Sequence, residues 1–365
     1  DKHEDERFEE TNELYAEVSK KLNKLMAISQ PMFFFLLNIA IIVIFWVSSK
    51  MINVGSLQVG QLVAFIEYLF HAMFSIMLFS MVFVMYPRAQ VSANRITEIL
   101  NEDPIIKSPH NGVKETDIKG IIEFDNVSFT YPNGEEAVLK NISFKGKKGE
   151  TIAFIGSTGS GKSTLINLIP RFYDVTEGSI RIDGVDVRDY DLSALRKKIG
   201  FIPQKTLLFT GSIASNIRFG KKNAKTGEVE YSAKVAQAYD FISRKPKKFE
   251  EEISEGGSNV SGGQKQRLSI ARAIVRKPEI YIFDDSFSAL DFKTDAILRK
   301  RLKSETKDSI VLIVAQRIGS IMDADKIIVL NEGEVVGIGK HKELLKTCEI
   351  YHEIAASQLT EEELA

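Results

Sequence analysis

Between Lys24 and Lys50 the chain carries no charged side chain. No other feature restricts the possible folds so strongly. Those 25 positions include PMFFFLLNIAIIVIFWV. As a helix rising about 1.5 Å per residue they reach about 37 Å, enough to cross a hydrocarbon core of about 30 Å. A second apolar run follows the short polar loop INVGSLQVGQ and extends from Leu62 to Tyr86, with Glu67 its only formal charge. Two core helices of a large soluble domain are the alternative. Length, apolarity on every side and Trp46 near one end favour membrane spans over about 25–49 and 62–86.

The apolar run starts too late and is too long for a signal peptide. The preceding residues 1–24 are strongly charged, and Leu14, Val18, Leu22 and Leu25 recur at helical spacing, which predicts a cytoplasmic helix. Pro31 is placed to kink a helix that continues into the span. Because the chain opens without Met inside this charged helix, a missing N-terminal portion is expected. Lys20, Lys21 and Lys24 precede the first span, and Arg88 and Arg95 follow the second. The connecting loop offers only Lys50, so the bias points the long C-terminal region into the cytoplasm. An integral protein of the plasma (inner) membrane, in contact with lipid, is expected.

Composition narrows the function of that region. The 48 basic and 49 acidic residues nearly cancel, so no electrostatic footprint for nucleic acid is present. A single cysteine, Cys348, excludes a disulfide scaffold and a cysteine-based zinc site. Residues 104–119 (PIIKSPHNGVKETDIK) read as a polar linker. From Gly120 short β-rich runs (IIEFDNVSFTYP, TIAFIG, SIRIDG, IGFIPQ, EIYIFD, SIVLIVA, KIIVL) are interspersed with helical ones, notably KSTLINLIP and KQRLSIARAIV. The fold class expected is multidomain: all-α transmembrane helices over 1–103, then an α/β domain with a largely parallel sheet over 120–358. The remaining residues, 359–365, end in the acidic EEELA, read as a solvated tail.

The strand TIAFI runs into Gly156, Ser157, Thr158, Gly159, Ser160, Gly161, Lys162, Ser163 and Thr164. This string fits G-x-x-x-x-G-K-[ST] in the strand–loop–helix context that a phosphate loop requires. Its glycines let backbone N–H groups approach phosphate oxygens, Lys162 pairs with β- and γ-phosphate, and the Ser163 hydroxyl is a Mg²⁺ ligand. The apolar strand EIYIFDD supplies Asp284 as a second Mg²⁺ ligand at a strand's C-terminal end, where open α/β sheets bind ligands. ATP and Mg²⁺ are the expected ligands.

VSGGQKQR at Val260–Arg267 makes the reading specific. It resembles the signature sequence of ATP-binding cassette (ABC) ATPases, with Val260 in place of the usual Leu. The resemblance covers essentially all of Gly120–Gln358, and residues 1–100 resemble, less specifically, the last two of six helices of an exporter membrane domain. It implies that Ser261, Gly262, Gly263 and Gln264 close in trans over ATP held by a second ATPase domain. Tyr131, in FTYP, looks like the aromatic that stacks on adenine. Gln204, in FIPQ, resembles the Gln that reaches Mg²⁺ and senses the membrane domain. Glu255 resembles the acidic residue that exporters use near their coupling helices, and Asp291, closing SALD, the loop touching the opposite ATPase domain. PQKTLLFTGSIASNI is similar to the stretch typical of exporters.

Two departures bear on mechanism. The family's usual catalytic Glu after the Asp of the acidic strand is Asp285 here, and the usual His after SIVLIVA, which in the family contacts the γ-phosphate, is Gln316. One methylene less withdraws the carboxylate by roughly 1 Å, a misplacement that can cost about 100-fold in rate. Gln donates a hydrogen bond but carries no proton or positive charge at working pH. Of the five histidines, His3, His71 and His110 precede the ATPase domain, and His341 and His352 lie in its C-terminal region, so none replaces it. Intact ATP-binding elements beside altered hydrolytic ones resemble the degenerate-site half of a heterodimeric multidrug-type exporter. This chain's SGGQ then completes the partner subunit's competent site. A homodimer with impaired but sufficient activity, and a nucleotide-gated regulatory subunit without export, are the alternatives.

The second span carries Phe70, Met73, Phe74, Met77, Phe79, Met81, Phe83 and Met85. These adaptable surfaces suit either a cavity for varied apolar ligands or plain lipid and helix packing. Glu67 and His71, four apart, share a helix face and are candidate contacts for a transported small molecule, lipid or peptide; they can equally pair with each other or face water.

Overall fold

In a computed structural model, residues 2–360 are described; the EEELA tail lies outside them. The chain divides into two units, Asp1–Asp103 and Pro104–Ala365.

The first unit is a pair of long helices, α1 (Lys2–Asn53) and α2 (Val59–Leu100). The charged N-terminal segment and the first apolar run form one helix, and α1 passes through Pro31 without interruption. At about 1.5 Å per residue both helices outreach a bilayer core. Phe34, Phe45, Val63 and Phe79 stand more than 40% exposed, an apolar surface that water does not tolerate over such an area.

The second unit is built on a six-stranded sheet of order β12-β11-β3-β10-β9-β6. It comprises β3 (Thr151–Gly156), β6 (Ile199–Ile202), β9 (Ile280–Asp284), β10 (Ile310–Val314), β11 (Lys326–Asn331) and β12 (Glu334–Gly339). All neighbours are parallel except β12, which pairs antiparallel with β11. These strands read as continuous apolar runs because both faces are covered. Ile152, Phe154, Ile282, Leu312 and Leu330 enter one core, and Ala153, Ile155, Phe283, Ile313 and Val329 enter the other.

The expectation of one largely parallel sheet is corrected for two strands. IIEFDNVSF and SIRI do not join it. They form β1 (Ile121–Phe129) and β4 (Glu177–Ile182) of a separate antiparallel sheet, β2-β1-β4-β5, completed by β2 (Leu139–Lys147) and β5 (Val185–Asp186). Its apolar face (Ile122, Phe124, Ile142, Ile180) packs into the core shared with β3. On the other side lie the helices α5 (Ile213–Arg218), α6 (Thr226–Val235), α7 (Tyr239–Ser243) and α8 (Gly262–Ile274) and the short pair β7 (Gly211–Ser212) and β8 (Glu252–Ile253). The remaining helices are α3 (Lys162–Leu168), α4 (Leu192–Lys198), α9 (Phe292–Glu305), α10 (His341–Thr347) and α11 (Glu349–Ala356).

Residues 104–119 belong to this second unit although they form no helix. Val113 N–H donates to Asp189 O at 2.9 Å, and Asp191 N–H returns to Val113 O at 3.0 Å. Nearby, the buried Lys198 ammonium meets Asp183 at 2.7 Å and Glu279 at 2.9 Å, and the Thr116 hydroxyl joins them at 3.2 Å. Burial pulls the Lys198 pKa down, but its bonds to the two carboxylates outweigh this and raise it. The linker is thus pinned by backbone pairing and one buried ion cluster.

Candidate nucleotide site

Strand order alone gathers the cleft. Val314 of β10 pairs with Phe154 of β3 on one side and with Asp284 of β9 on the other. The loop after β3, the acids ending β9 and Gln316 after β10 therefore emerge together at the C-terminal edge of the sheet, where parallel α/β sheets place ligands. They line a cleft of about 280 Å³ with Val138, Thr164, Gln204 and Val314.

The loop needs its glycines for space and for conformation. A Cβ on Gly156 would stand 2.0 Å from the Leu330 carbonyl oxygen, and Gly161 holds φ +93°. Gly161 also precedes α3 without a capping side chain, which leaves first-turn N–H groups for an anion. The Lys162 ammonium is held by Gly156 O at 2.9 Å, Ser157 O at 2.6 Å and Ser160 Oγ at 3.1 Å. Burial lowers the Lys162 pKa, and the Asp285 and Asp284 carboxylates oppose the shift.

Ser163 Oγ donates to Asp284 Oδ1 at 3.0 Å. Burial pushes the Asp284 pKa up, against the Ser163 hydrogen bond. Asp285 holds φ +44°, a left-handed conformation that Asp tolerates better than most residues. Its Oδ2 accepts from Gln316 Nε2 at 2.9 Å and from Gln204 Nε2 at 3.2 Å. Burial also raises the Asp285 pKa. Two amide donors occupy the lone pairs of one oxygen of a short carboxylate, leaving less free for drawing a proton from water. A hydroxyl, a carboxylate and a side-chain amide oxygen are donors of the kind Mg²⁺ takes beside substrate phosphates and water. Among the described residues no three His, Cys, Asp or Glu cluster as a metal cage, and a metal shared with phosphates needs none.

Not every expected residue lines the cleft. The Ser157 carbonyl and the Ser160 hydroxyl support Lys162 instead. Tyr131 packs edge-on against Phe129 and Tyr173, with its hydroxyl 3.0 Å from Thr164 Oγ1. Ser261 caps α8, and Ser261 and Gln264 exchange backbone-to-side-chain bonds of 3.1 and 3.4 Å. With Gly262 and Gly263 they stand outside this cleft, Ser261 and Gly262 exposed. Asp291 caps α9, and the Thr294 N–H at 2.9 Å holds its carboxyl below the usual range. Glu255, itself exposed, opens a short turn that ends on the buried Gly257, and Glu67 and His71 stand 4.0 Å apart on α2.

Sequence reasoning missed Val138 and Val314, which nothing distinguishes from other apolar residues. It also missed Gln266, buried in α8, which accepts from the Thr206 hydroxyl at 2.5 Å and donates to Pro203 O at 3.4 Å. A polar residue on the inward face of an amphipathic helix was the available signal. This bond ties the signature helix to the loop that carries Gln204.

Comparison with known proteins decides the family. The ABC transporter model matches residues 139–288, and the ABC transporter transmembrane region matches residues 1–77. The chain belongs to the ABC transporter family. It is 40% identical over 99% of its length to an uncharacterized ABC transporter ATP-binding protein, YfiB, of Bacillus subtilis, covering 62% of that protein. A Mycobacterium tuberculosis ABC transporter ATP-binding protein, also uncharacterized, is 38% identical over 98% of this chain and 62% of its own. The structure of a bacterial Atm1-family ABC exporter with ATP bound superposes with TM-score 0.76 at 33% identity, covering 84% of this chain and 54% of that one. The chain thus spans about 62% of the length of these curated relatives. In this ABC transporter chain a helical membrane region is fused to an α/β ATPase domain.

Proposed function

We propose that this chain is a subunit of an ATP-driven exporter, and that its own nucleotide site binds Mg-ATP firmly and hydrolyses it slowly. The observation that carries the reading is Asp285, a shortened acid at the catalytic position whose Oδ2 is bonded by both Gln204 and Gln316. In this reading Lys162 and the loop amides grip the phosphates, and Tyr131 faces the adenine. Ser163, Gln204 and Asp284 hold Mg²⁺, which supplies charge neutralisation of the β- and γ-phosphates. Ser261, Gly262, Gly263 and Gln264 serve the site of a second, different subunit, and their place outside the chain's own cleft, with Ser261 and Gly262 exposed, supports that role. Asp291 and Glu255 contribute to subunit and membrane-domain contacts. The membrane region sits in the plasma membrane with the ATPase domain in the cytoplasm, and Glu67 with His71 contacts the transported molecule.

The transporter purified through a tag on this chain tests the reading. Asp285→Glu with Gln316→His is expected to raise hydrolysis at this chain's site by about 100-fold, the rate attached to a 1 Å misplacement. Vanadate-dependent trapping of a radiolabelled azido-nucleotide on this chain measures it. Rapid ATP turnover by the unmodified chain as a homodimer, or no gain in the double variant, contradicts the proposal.

A further inference from the structure

We infer that Gln358, in the turn after α11, is a positioning residue for the nucleotide cleft that acts through the backbone of the Gln316 loop. Its planar amide meets that loop twice. Nε2 donates to the Gln316 carbonyl at 2.9 Å, and Oε1 accepts from the Ile318 N–H at 2.9 Å. Two opposed hydrogen bonds from one rigid group fix both the place and the direction of the intervening backbone. Gln316 in turn donates from its side chain to Asp285 Oδ2 at 2.9 Å. A continuous chain of bonds therefore runs from the C-terminal helix to the acid in the cleft.

The clamp has a firm base. Tyr351 and Ala355 of α11 are fully buried, and the Tyr351 hydroxyl lies 2.7 Å from His341 Nδ1. Gln358 and Leu359 N–H groups both close onto Ala355 O, at 3.0 and 2.9 Å, and Leu359 packs against the core. Gln358 itself is exposed, so its polar contacts, not its burial, explain its placement. The inference rests on the reading that Gln316 faces the terminal phosphate of ATP. ADP has no group there, so the clamp contributes to discrimination between the two nucleotides.

The test is photolabelling of this chain by azido-ATP in the purified transporter, competed with β,γ-imido-ATP or with ADP. Gln358→Met keeps the length and removes both bonds. It is expected to weaken the imido-ATP competitor about 5- to 10-fold, the worth of a hydrogen bond or two, with ADP unchanged within about twofold. Gln358→Glu keeps the Ile318 bond but turns an oxygen onto the Gln316 carbonyl, and the same selective loss is expected. Gln316→Ala is the reference and should also lose imido-ATP selectively. A selective effect in Gln316→Ala without one in either Gln358 variant overturns the clamp and leaves the phosphate reading standing. A silent Gln316→Ala overturns both. Parallel weakening of imido-ATP and ADP in the Gln358 variants assigns the residue a general structural part and overturns the clamp as well.

Discussion

Replacing Lys198 by Met tests how the ATPase domain holds residues 104–119, the strap at its N-terminal side. The ammonium is 9% exposed and faces Asp183, only 1% exposed, and Glu279. Removing one member of a buried ion cluster costs about 3–5 kcal/mol, because the remaining charge is left uncompensated. Here the lower end applies, since Asp183 keeps the Ile121 N–H at 3.0 Å and the Thr116 hydroxyl at 3.3 Å. With about 2–4 °C per kcal/mol for a domain of this size, the ATPase transition should fall by roughly 6–12 °C. Calorimetry of the full chain in detergent reads it. Lys198→Met combined with Asp183→Asn removes the orphaned charge and should recover more than half of the loss, a non-additivity expected of groups in one cluster. A shift below about 2 °C in the single variant is what a surface pair gives. That result, or a double variant worse than the single, would refute the reasoning.

Further outcomes follow from the cleft and from the signature. Burial raises the pKa of Asp284 and Asp285 and lowers that of Lys162. The native state thus keeps protons on the acids above the pH at which the unfolded chain releases them, and stability contributed by these acids declines as pH rises through that interval. In the proposed reading Mg-ATP binding needs Asp284 ionised and Lys162 charged. Its titration by photolabelling should show an acid limb above the ordinary carboxylate range and an alkaline limb below the ordinary lysine value; limbs at the ordinary values contradict the burial argument. Ser261→Ala should leave labelling of this chain's own site unchanged while lowering ATP turnover of the assembled transporter at least about 10-fold, as loss of a preorganised donor does. Loss of labelling on this chain instead would place the signature in its own site.

The sequence alone determined the membrane helices, the phosphate loop and the acidic strand. In each, the physical requirement is local: an uncharged length, glycines where backbone meets phosphate, and an acid at a strand's end. It also exposed Asp285 and Gln316 as departures, because a motif fixes which residue type is expected at each place. Only the tertiary structure decided that the first and third β-rich segments leave the parallel sheet, since a strand's own residues do not specify which distant strand it will pair with. The strap's attachment through Lys198, the bond from Gln266 to Thr206 and the amide of Gln358 across the Gln316 loop also required coordinates. These contacts join residues from 15 to 82 positions apart. Chain folding brings such groups together, and neither spacing nor propensity along the sequence encodes which distant carbonyl a side chain will meet.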